Sequence, residues 1–178
     1  LLFEQGVFGH KADFNDTVLR VPLIVYGKGA SREDKLVDLI LTPSSVHALL
    51  DIKPAKEHHP GDFFSTSKDY VASEAAHDDK GVYLMGHKLE RPTTRTRSLR
   101  TKKFKIVATE GRPPLLFNLQ KDPCEKHNIA RSEPETLMVM TELLKTHISN
   151  QKKHRSMVNK REKIRRIKDS MRSHKSIS

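Results

Sequence analysis

The sequence predicts an α/β fold in which a core strand and a helix are followed by a small antiparallel β-sheet subdomain and a C-terminal helix. Three observations carry this prediction. A dense apolar run occupies residues 18–26, five short β-type runs lie between residues 70 and 119, and helical apolar spacing begins at Glu133. Strand patterns interleaved with helix patterns are typical of α/β and mixed folds.

The first element is the run VLRVPLIVY at residues 18–26, which is closed by Gly27 and Gly29. A continuous apolar run of this length, bounded by turn residues, favours a strand that is covered on both faces. The preceding loop is polar and rich in glycine, and it contains His10 and Lys11. Loops that lead into buried strands often carry binding and catalytic groups. We therefore expect a substrate loop mounted on a core strand.

A short helix is expected after the apolar run, because Thr42-Pro43 interrupts the chain and Ser or Thr beside a proline supplies an N-cap. The spacing predicts that this helix begins at Ser44 or Ser45. Its inner side is expected to carry the apolar residues of the segment, namely Val46, Leu49, Leu50 and Ile52.

Five short runs with Gly, Pro or charged turns between them predict an antiparallel sheet. They are residues 70–75, 82–85, 95–101, 104–109 and 115–119. Within them, Phe104, Ile106 and Leu116 are expected to share one face of the sheet. After Glu133 the apolar residues follow a helical spacing, and Pro134 is suited to the first turn of a helix. That helix is expected to pack on the sheet.

The charge of the chain is concentrated in its last residues. The net charge is +11, but residues 145–178 hold twelve Lys and Arg against Glu162 and Asp169, which leaves only +1 for the rest. We expect this tail to be a solvated or partly disordered basic extension. The chain contains no apolar run long enough for a membrane helix, and its single cysteine, Cys124, excludes an internal disulfide.

Two blocks of sequence carry a family pattern. The first reads FEQGVFGHK and then DFNDTVLRVPLIVYGKG; the second reads SLRTKKFKIVATEG and then PPLLFNLQKDPCEKHNIA. Together they resemble the sulfatase family of the alkaline phosphatase superfamily, the first after its second metal-binding motif and the second in its C-terminal subdomain. Lys11 stands nine residues before Arg20, the spacing at which that family places a basic residue on the sulfate or phosphate group.

The resemblance implies the C-terminal portion of a metal-dependent hydrolase of small-molecule or saccharide sulfate esters. It implies four parts: an α/β core (residues 1–52), the sheet subdomain (53–130), a packing helix (131–150) and the basic extension (151–178). It also implies a divalent cation in the full-length protein, calcium first and magnesium or manganese as alternatives, with none held by this chain alone. Its nucleophile and metal motifs would precede Leu1, so we expect the isolated chain to be inactive.

Lys11 is the residue expected to bind substrate and to take part in catalysis, because a fixed ammonium stabilises charge on the peripheral oxygens of a transferring group. His10 is the second catalytic candidate, since imidazole titrates near neutrality and could protonate the leaving oxygen. The alternative for Lys11 is a solvated surface lysine. Asp13 and Asp16 are interpreted as helix-start residues, where carboxylates favour the positive end of the helix dipole.

The remaining histidines give weaker metal hypotheses. His58-His59 with Glu57 and Asp62 is better explained as a solvated loop, because adjacent histidines point apart in an extended chain. The other candidates are better explained as turn or surface residues: His77-Asp78-Asp79, His87 beside Gly86, and Cys124-x-x-His127, which lacks a second ligand pair.

Two other functions stay open at this stage. One is a phosphoglycerol-transferase or phosphodiesterase-like member of the same superfamily. The other is a non-enzymatic protein whose basic tail binds nucleic acid or an anionic membrane. Nucleic acid is the less favoured partner, because the tail has no interleaved aromatic residues for base stacking.

Overall fold

The computed structural model describes residues 14–26, 34–53, 59, 61–77 and 94–175. The chain divides into two compact units, Leu1–Met140 and Thr141–Ser178. The elements are helix α1 (Asp16–Leu19), a 3₁₀ turn (Leu39–Leu41), helix α2 (Thr42–Leu49), strands β1 (Val71–His77), β2 (Thr94–Arg100), β3 (Phe104–Thr109) and β4 (Leu115–Asn118), and helix α3 (Pro134–Lys175).

The predicted antiparallel sheet is confirmed, with strand order β1-β2-β3-β4 and every pairing antiparallel. Leu99 pairs with Ile106, and Ile106 pairs with Leu116, so these three side chains lie side by side on one face. All three are buried, and they form the centre of the apolar core. Phe104 lies two positions before Ile106 in β3, on the same face, and is half-buried, so the expected shared face of Phe104, Ile106 and Leu116 is confirmed. The expected strand at residues 82–85 lies outside the described residues.

The edge of β4 that faces away from β3 is hydrogen-bonded to a later part of the chain. The Ile129 N–H donates to the Leu116 carbonyl at 2.8 Å, and the Asn128 Oδ1 accepts from the Leu116 N–H at 3.0 Å. An unpaired strand edge is a template for unwanted pairing. The segment that follows the Asp122-Pro123 turn thus protects the last strand of the sheet.

The core strand predicted at residues 18–26 is not formed, and this prediction is corrected. Val18 and Leu19 belong to α1, and residues 20–26 are assigned to neither a helix nor a strand. The Ile24 side chain is 87% exposed, and Tyr26 is fully exposed. A strand needs a neighbour for its backbone hydrogen bonds, and none of the strands β1 to β4 pairs with residues 20–26. Apolar composition alone could not supply that neighbour.

The helix predicted after Thr42-Pro43 is present, but its start and its buried side differ from expectation. Helix α2 begins at Thr42, with Pro43 in its first turn and without a side-chain cap hydrogen bond at Leu41. It buries Ser44 and Ser45, whereas Val46, Leu50 and Ile52 are exposed. The reason is local: the two serine hydroxyls bind backbone groups of residues 41, 61 and 63, which turns the serine side of the helix inward.

Helix α3 begins at Pro134, one residue after the expected start, and runs to Lys175 without a break. The basic segment after residue 150 is therefore helical rather than irregular. Its side chains are exposed over residues 151–161 and 163–165. Among the described helices, none combines the length and the apolar character that a bilayer crossing requires. The predicted boundary between a packing helix and a basic extension stays a prediction.

Candidate functional site

The residues predicted to contact substrate, His10 and Lys11, lie outside the described residues. The described chain begins at Phe14, three residues after Lys11. Phe14 is buried, and so is Asn15. Asn15 caps α1: its Oδ1 accepts from the Thr17 N–H at 3.1 Å and from the Thr17 hydroxyl at 3.1 Å. The candidate substrate loop thus leads directly into a buried and hydrogen-bonded start of α1.

Asp16, the first residue of α1, does more than the helix-start role expected from the sequence. Its Oδ1 lies 3.0 Å from the Lys105 Nζ, and its Oδ2 lies 3.1 Å from the Arg100 Nε. The Lys105 Nζ also lies 2.9 Å from the Glu125 Oε1. We call these four residues, Asp16, Arg100, Lys105 and Glu125, the anchor cluster. It joins α1 to β2, to β3 and to the turn after β4.

The anchor cluster is closed to solvent at its centre. The Lys105 side chain is 0% exposed and that of Glu125 is 2% exposed. Two positive groups meet two negative groups, so the cluster has no net formal charge. Burying a charge is costly unless it is paired and hydrogen-bonded, and here each carboxylate meets a cation. The Glu125 Oε1 accepts a further hydrogen bond, from the Asp16 N–H, at 2.7 Å.

Glu125 reaches the anchor cluster because of the backbone around it. It follows Asp122-Pro123, and its N–H donates to the Asp122 carbonyl at 3.1 Å. Its φ of +54° is in the left-handed region, which non-glycine residues seldom adopt. Asp122 Oδ2 accepts from the His127 N–H at 2.7 Å and so holds the turn closed. This turn directs the Glu125 carboxylate toward the Lys105 ammonium.

Sequence reasoning missed the anchor cluster. The second sequence block was identified only by its family resemblance, and its described contacts with Asp16 are structural. The signal was present in β3, where Lys105 alternates with Phe104 and Ile106 in an otherwise apolar strand. A charged residue at such a position normally faces solvent. Only the arrival of Asp16 and Glu125 on that face distinguishes a buried lysine from an exposed one.

A buried ammonium between two carboxylates is an anchor and not a reaction centre, because no solute reaches it. The same carboxylates do not fit a divalent cation, since both converge on the Lys105 Nζ. In the described ranges there is no group of three or more His, Cys, Asp or Glu side chains that could hold a metal ion.

The other metal hypotheses find no support in the part of the chain that the structure describes. His58, Asp78, Asp79 and His87 lie outside it. Cys124 is exposed, and His127 lies beside Asp122, with 3.4 Å between the His127 Nδ1 and the Asp122 Oδ2. Asp62 caps a turn: its Oδ1 accepts from the Phe64 N–H at 2.7 Å.

No protein-family model matches the sequence, and no curated protein matches it. Solved structures do. A 2-O GAG sulfatase is 24% identical, with 61% of this chain and 24% of that one covered, at a TM-score of 0.47. A protein described as a sulfatase of Bacteroides thetaiotaomicron gives 24% identity, the same coverage and a TM-score of 0.48. A phosphonate monoester hydrolase of Agrobacterium radiobacter gives 21% identity, 62% and 24% coverage and a TM-score of 0.45.

Two of these three structures are sulfatases, and the third is a phosphonate monoester hydrolase. The chain spans about a quarter of the length of each of these three structures. At this level of identity the likeness concerns the fold.

Proposed function

We propose that these residues are the C-terminal portion of a sulfatase-like hydrolase, and that the whole protein hydrolyses sulfate esters with a divalent cation. One observation carries the proposal. The two sequence blocks that resemble the family contact each other through the anchor cluster: Asp16 of the first block binds Arg100, Lys105 and Glu125 of the second, which lie 84, 89 and 109 residues away in the chain. A resemblance by chance would not require the matching residues to meet.

Lys11 is the residue proposed to contact the ester. It precedes Asp16 by five residues, and chain geometry limits the distance between their Cα atoms to about 18 Å. The proposed role of the anchor cluster is to hold the downstream end of the loop, so that the Lys11 ammonium faces the anionic group. Such a charge acts where negative charge builds up on the peripheral oxygens, and it acts best when it is held in place.

His10 is proposed to act on the leaving group. An imidazole gains and loses a proton near neutral pH, and its protonated form, the imidazolium, can give a proton to the departing oxygen and become neutral. The two roles differ in one measurable way. Loss of a general acid slows poor leaving groups more than good ones, whereas loss of a peripheral ammonium slows all esters of the same anion similarly.

The test uses the whole protein in which these residues occur, with aryl sulfates of graded leaving-group pKa as substrates. Lys11→Met is expected to lower kcat/KM about 100- to 1,000-fold for all of them. His10→Ala is expected to lower it about 100-fold or more for poor leaving groups only. Lys53→Met, which removes an exposed lysine, is the matched control and should leave kcat/KM unchanged.

Three results would overturn parts of the proposal. A preference for phosphate or phosphonate esters over sulfate esters would replace the reaction by that of the phosphodiesterase-like alternative. Full activity after exhaustive treatment with EDTA would show that hydrolysis does not need a divalent cation. Turnover of an aryl sulfate by the 178-residue chain alone would contradict the proposal that it is only a portion of the enzyme.

A further inference from the structure

A strongly charged exposed surface lies on α3. Six basic residues occupy twelve successive positions, and every one of them is exposed: Lys152, Lys153, Arg155, Lys160, Arg161 and Lys163. We call them the basic helix surface. At 1.5 Å per residue they span only about 17 Å of the helix axis. The one acidic residue among these twelve positions is Glu162.

Five of these six residues lie within about 160° of the helix circumference, and Arg161 lies on the side opposite Lys152. Lys152 and Lys163 are eleven residues apart, close to three full turns, so they share a side. Arg161 precedes Lys163 by two residues and therefore lies about 160° around the helix from it. Like charges at i, i+3 also occur, as in Lys152 with Arg155 and Lys160 with Lys163. Such pairs destabilise an isolated helix, and a bound polyanion would remove that repulsion.

The distribution of charge distinguishes between classes of partner. A flat anionic membrane contacts one side of a helix and needs an apolar face to insert, but this helix has little amphipathic character. Single-stranded nucleic acid binding relies on aromatic stacking, and the sequence has no Phe, Tyr or Trp after Phe117. A flexible linear polyanion can follow charges around a helix without either feature.

We propose that the basic helix surface binds a linear sulfated polysaccharide, the polymeric form of the substrate class assigned above. The inference rests on the proposed function in one respect only, the identity of the anionic group as a sulfate ester. Clusters of Lys and Arg of this kind bind heparin-like polymers through their anionic groups. Binding at α3 keeps the polymer on the protein between successive reactions and requires no residue of the substrate loop.

The test measures binding of a fluorescein-labelled heparin fragment to the 178-residue chain by anisotropy at several salt concentrations. The variant replaces Lys152, Arg155, Lys160 and Lys163 by Gln, which preserves helix propensity. The control variant replaces by Gln four exposed basic residues of the first compact unit, Leu1–Met140, which we call the sheet unit. They are Lys53, Lys121, Lys126 and Arg131. Both variants lose the same net charge, and far-UV circular dichroism checks that both keep their helix.

Heparin is expected to bind with an affinity that falls as salt is raised. The helix variant should lose about 100-fold in affinity at low salt, and its salt dependence should become shallower. The control should lose no more than about threefold. Hyaluronan, which carries carboxylates without sulfates, should bind more weakly than heparin.

Equal losses in the two variants would overturn the proposal, because they would show net charge acting without a defined surface. Tighter binding to a DNA duplex or to phosphatidylserine vesicles than to heparin would overturn it in favour of those partners. Binding is measured without turnover. If the protein hydrolyses aryl sulfates but does not bind heparin, this inference is wrong and the proposed function stands. If it binds heparin but does not hydrolyse aryl sulfates, the proposed function is wrong and the binding surface stands.

Discussion

Single residues decide how the two sequence blocks are held together. The Lys105 ammonium is withdrawn from water and placed 3.0 Å and 2.9 Å from two carboxylates. The attraction within such a group roughly offsets the desolvation of its members, so the intact group adds little net stability. Loss of one member is a different matter, because the remaining charges stay buried without a counterion.

Lys105→Met is expected to lower the free energy of unfolding by about 3–5 kcal/mol, because Asp16 and Glu125 would face each other without the ammonium. Glu125→Gln should cost less, about 1–3 kcal/mol, since the amide oxygen still accepts the Asp16 N–H. Urea unfolding followed by circular dichroism measures both.

The control for Lys105→Met is Lys145→Met. The Lys145 Nζ also binds a carboxylate, that of Glu142 at 2.6 Å, but both side chains are largely exposed. Exposed pairs contribute about 0–1 kcal/mol. If the two lysine variants unfold at the same urea concentration, the buried arrangement of the anchor cluster is wrong.

Asp62 provides a pH-dependent contribution to stability. The hydrogen bond from the Ser65 hydroxyl, followed by that from the Ser65 N–H, holds the pKa of its carboxyl below the ordinary value of 3.8, and partial desolvation opposes them. A carboxyl whose pKa is lowered by folding stabilises the folded state above its unfolded pKa and loses that effect as the pH falls.

Asp62→Asn should therefore lower Tm at pH 5 to 7, and the difference from the unmodified chain should shrink as the pH falls through about 4 and below. Thermal unfolding between pH 7 and pH 2.5 measures the effect. Asp69→Asn, at an exposed position, is the comparison. A difference in Tm that stays constant from pH 7 to pH 2.5 would show that the carboxylate form of Asp62 is not the stabilising species.

At the scale of elements, the composition of residues 20–26 predicts a strand, but the structure assigns this segment to no strand. The apolar run has the residues of a strand, yet Val21, Leu23 and Ile24 are exposed. Strands β2 and β3 have apolar residues as well, but each also has a paired neighbour on both sides. Burial follows from the pairing of a segment with its neighbours as much as from its own hydrophobicity.

Ile24→Ala is expected to change the free energy of unfolding of this chain by less than about 0.5 kcal/mol, as at most exposed sites. Ile106→Ala, at a position 1% exposed in β3, should cost about 2–5 kcal/mol. Urea unfolding of the two variants compares them directly. A large cost at Ile24 would mean that the segment is buried in solution and that the strand predicted from its sequence is formed.

At the scale of the whole molecule, charge and fold are divided along the chain. The first 144 residues carry a net charge of only +1, whereas residues 145–178 carry +10. The boundary between the two compact units of the chain falls close to this point, between Met140 and Thr141. The side chains of the basic part are exposed at residues 151–161, so this part contributes charge rather than core.

Deletion of residues 151–178 should leave the free energy of unfolding of the sheet unit within about 0.5 kcal/mol of its original value, because exposed side chains add little to stability. The helical signal at 222 nm should fall by the share of the 25 helical residues removed, of the 42 in α3. A fall in stability above about 2 kcal/mol would show that the deleted segment covers part of the core.

Much of the sheet was predictable because local patterns specify it. The β3 boundaries match the expected ones, and those of β2 and β4 agree to within one residue. Helix α3 begins at Pro134, the residue predicted to lie in its first turn. Alternation and turn residues act over a few positions, and the chain here obeys them. The inward side of α2 was not predictable, because it depends on where Ser44 and Ser45 find backbone partners.

The amino-acid sequence by itself determined the antiparallel strands, the proline that begins α3, the concentration of positive charge near the C-terminus and the two blocks of family resemblance. Only the tertiary structure decided that Lys105 is buried and that Val21, Leu23 and Ile24 are exposed. The partners of Lys105 lie 89 and 20 residues away in the chain. Whether a charge is neutralised or an apolar segment covered depends on what long-range folding brings beside it, and local patterns do not contain that information.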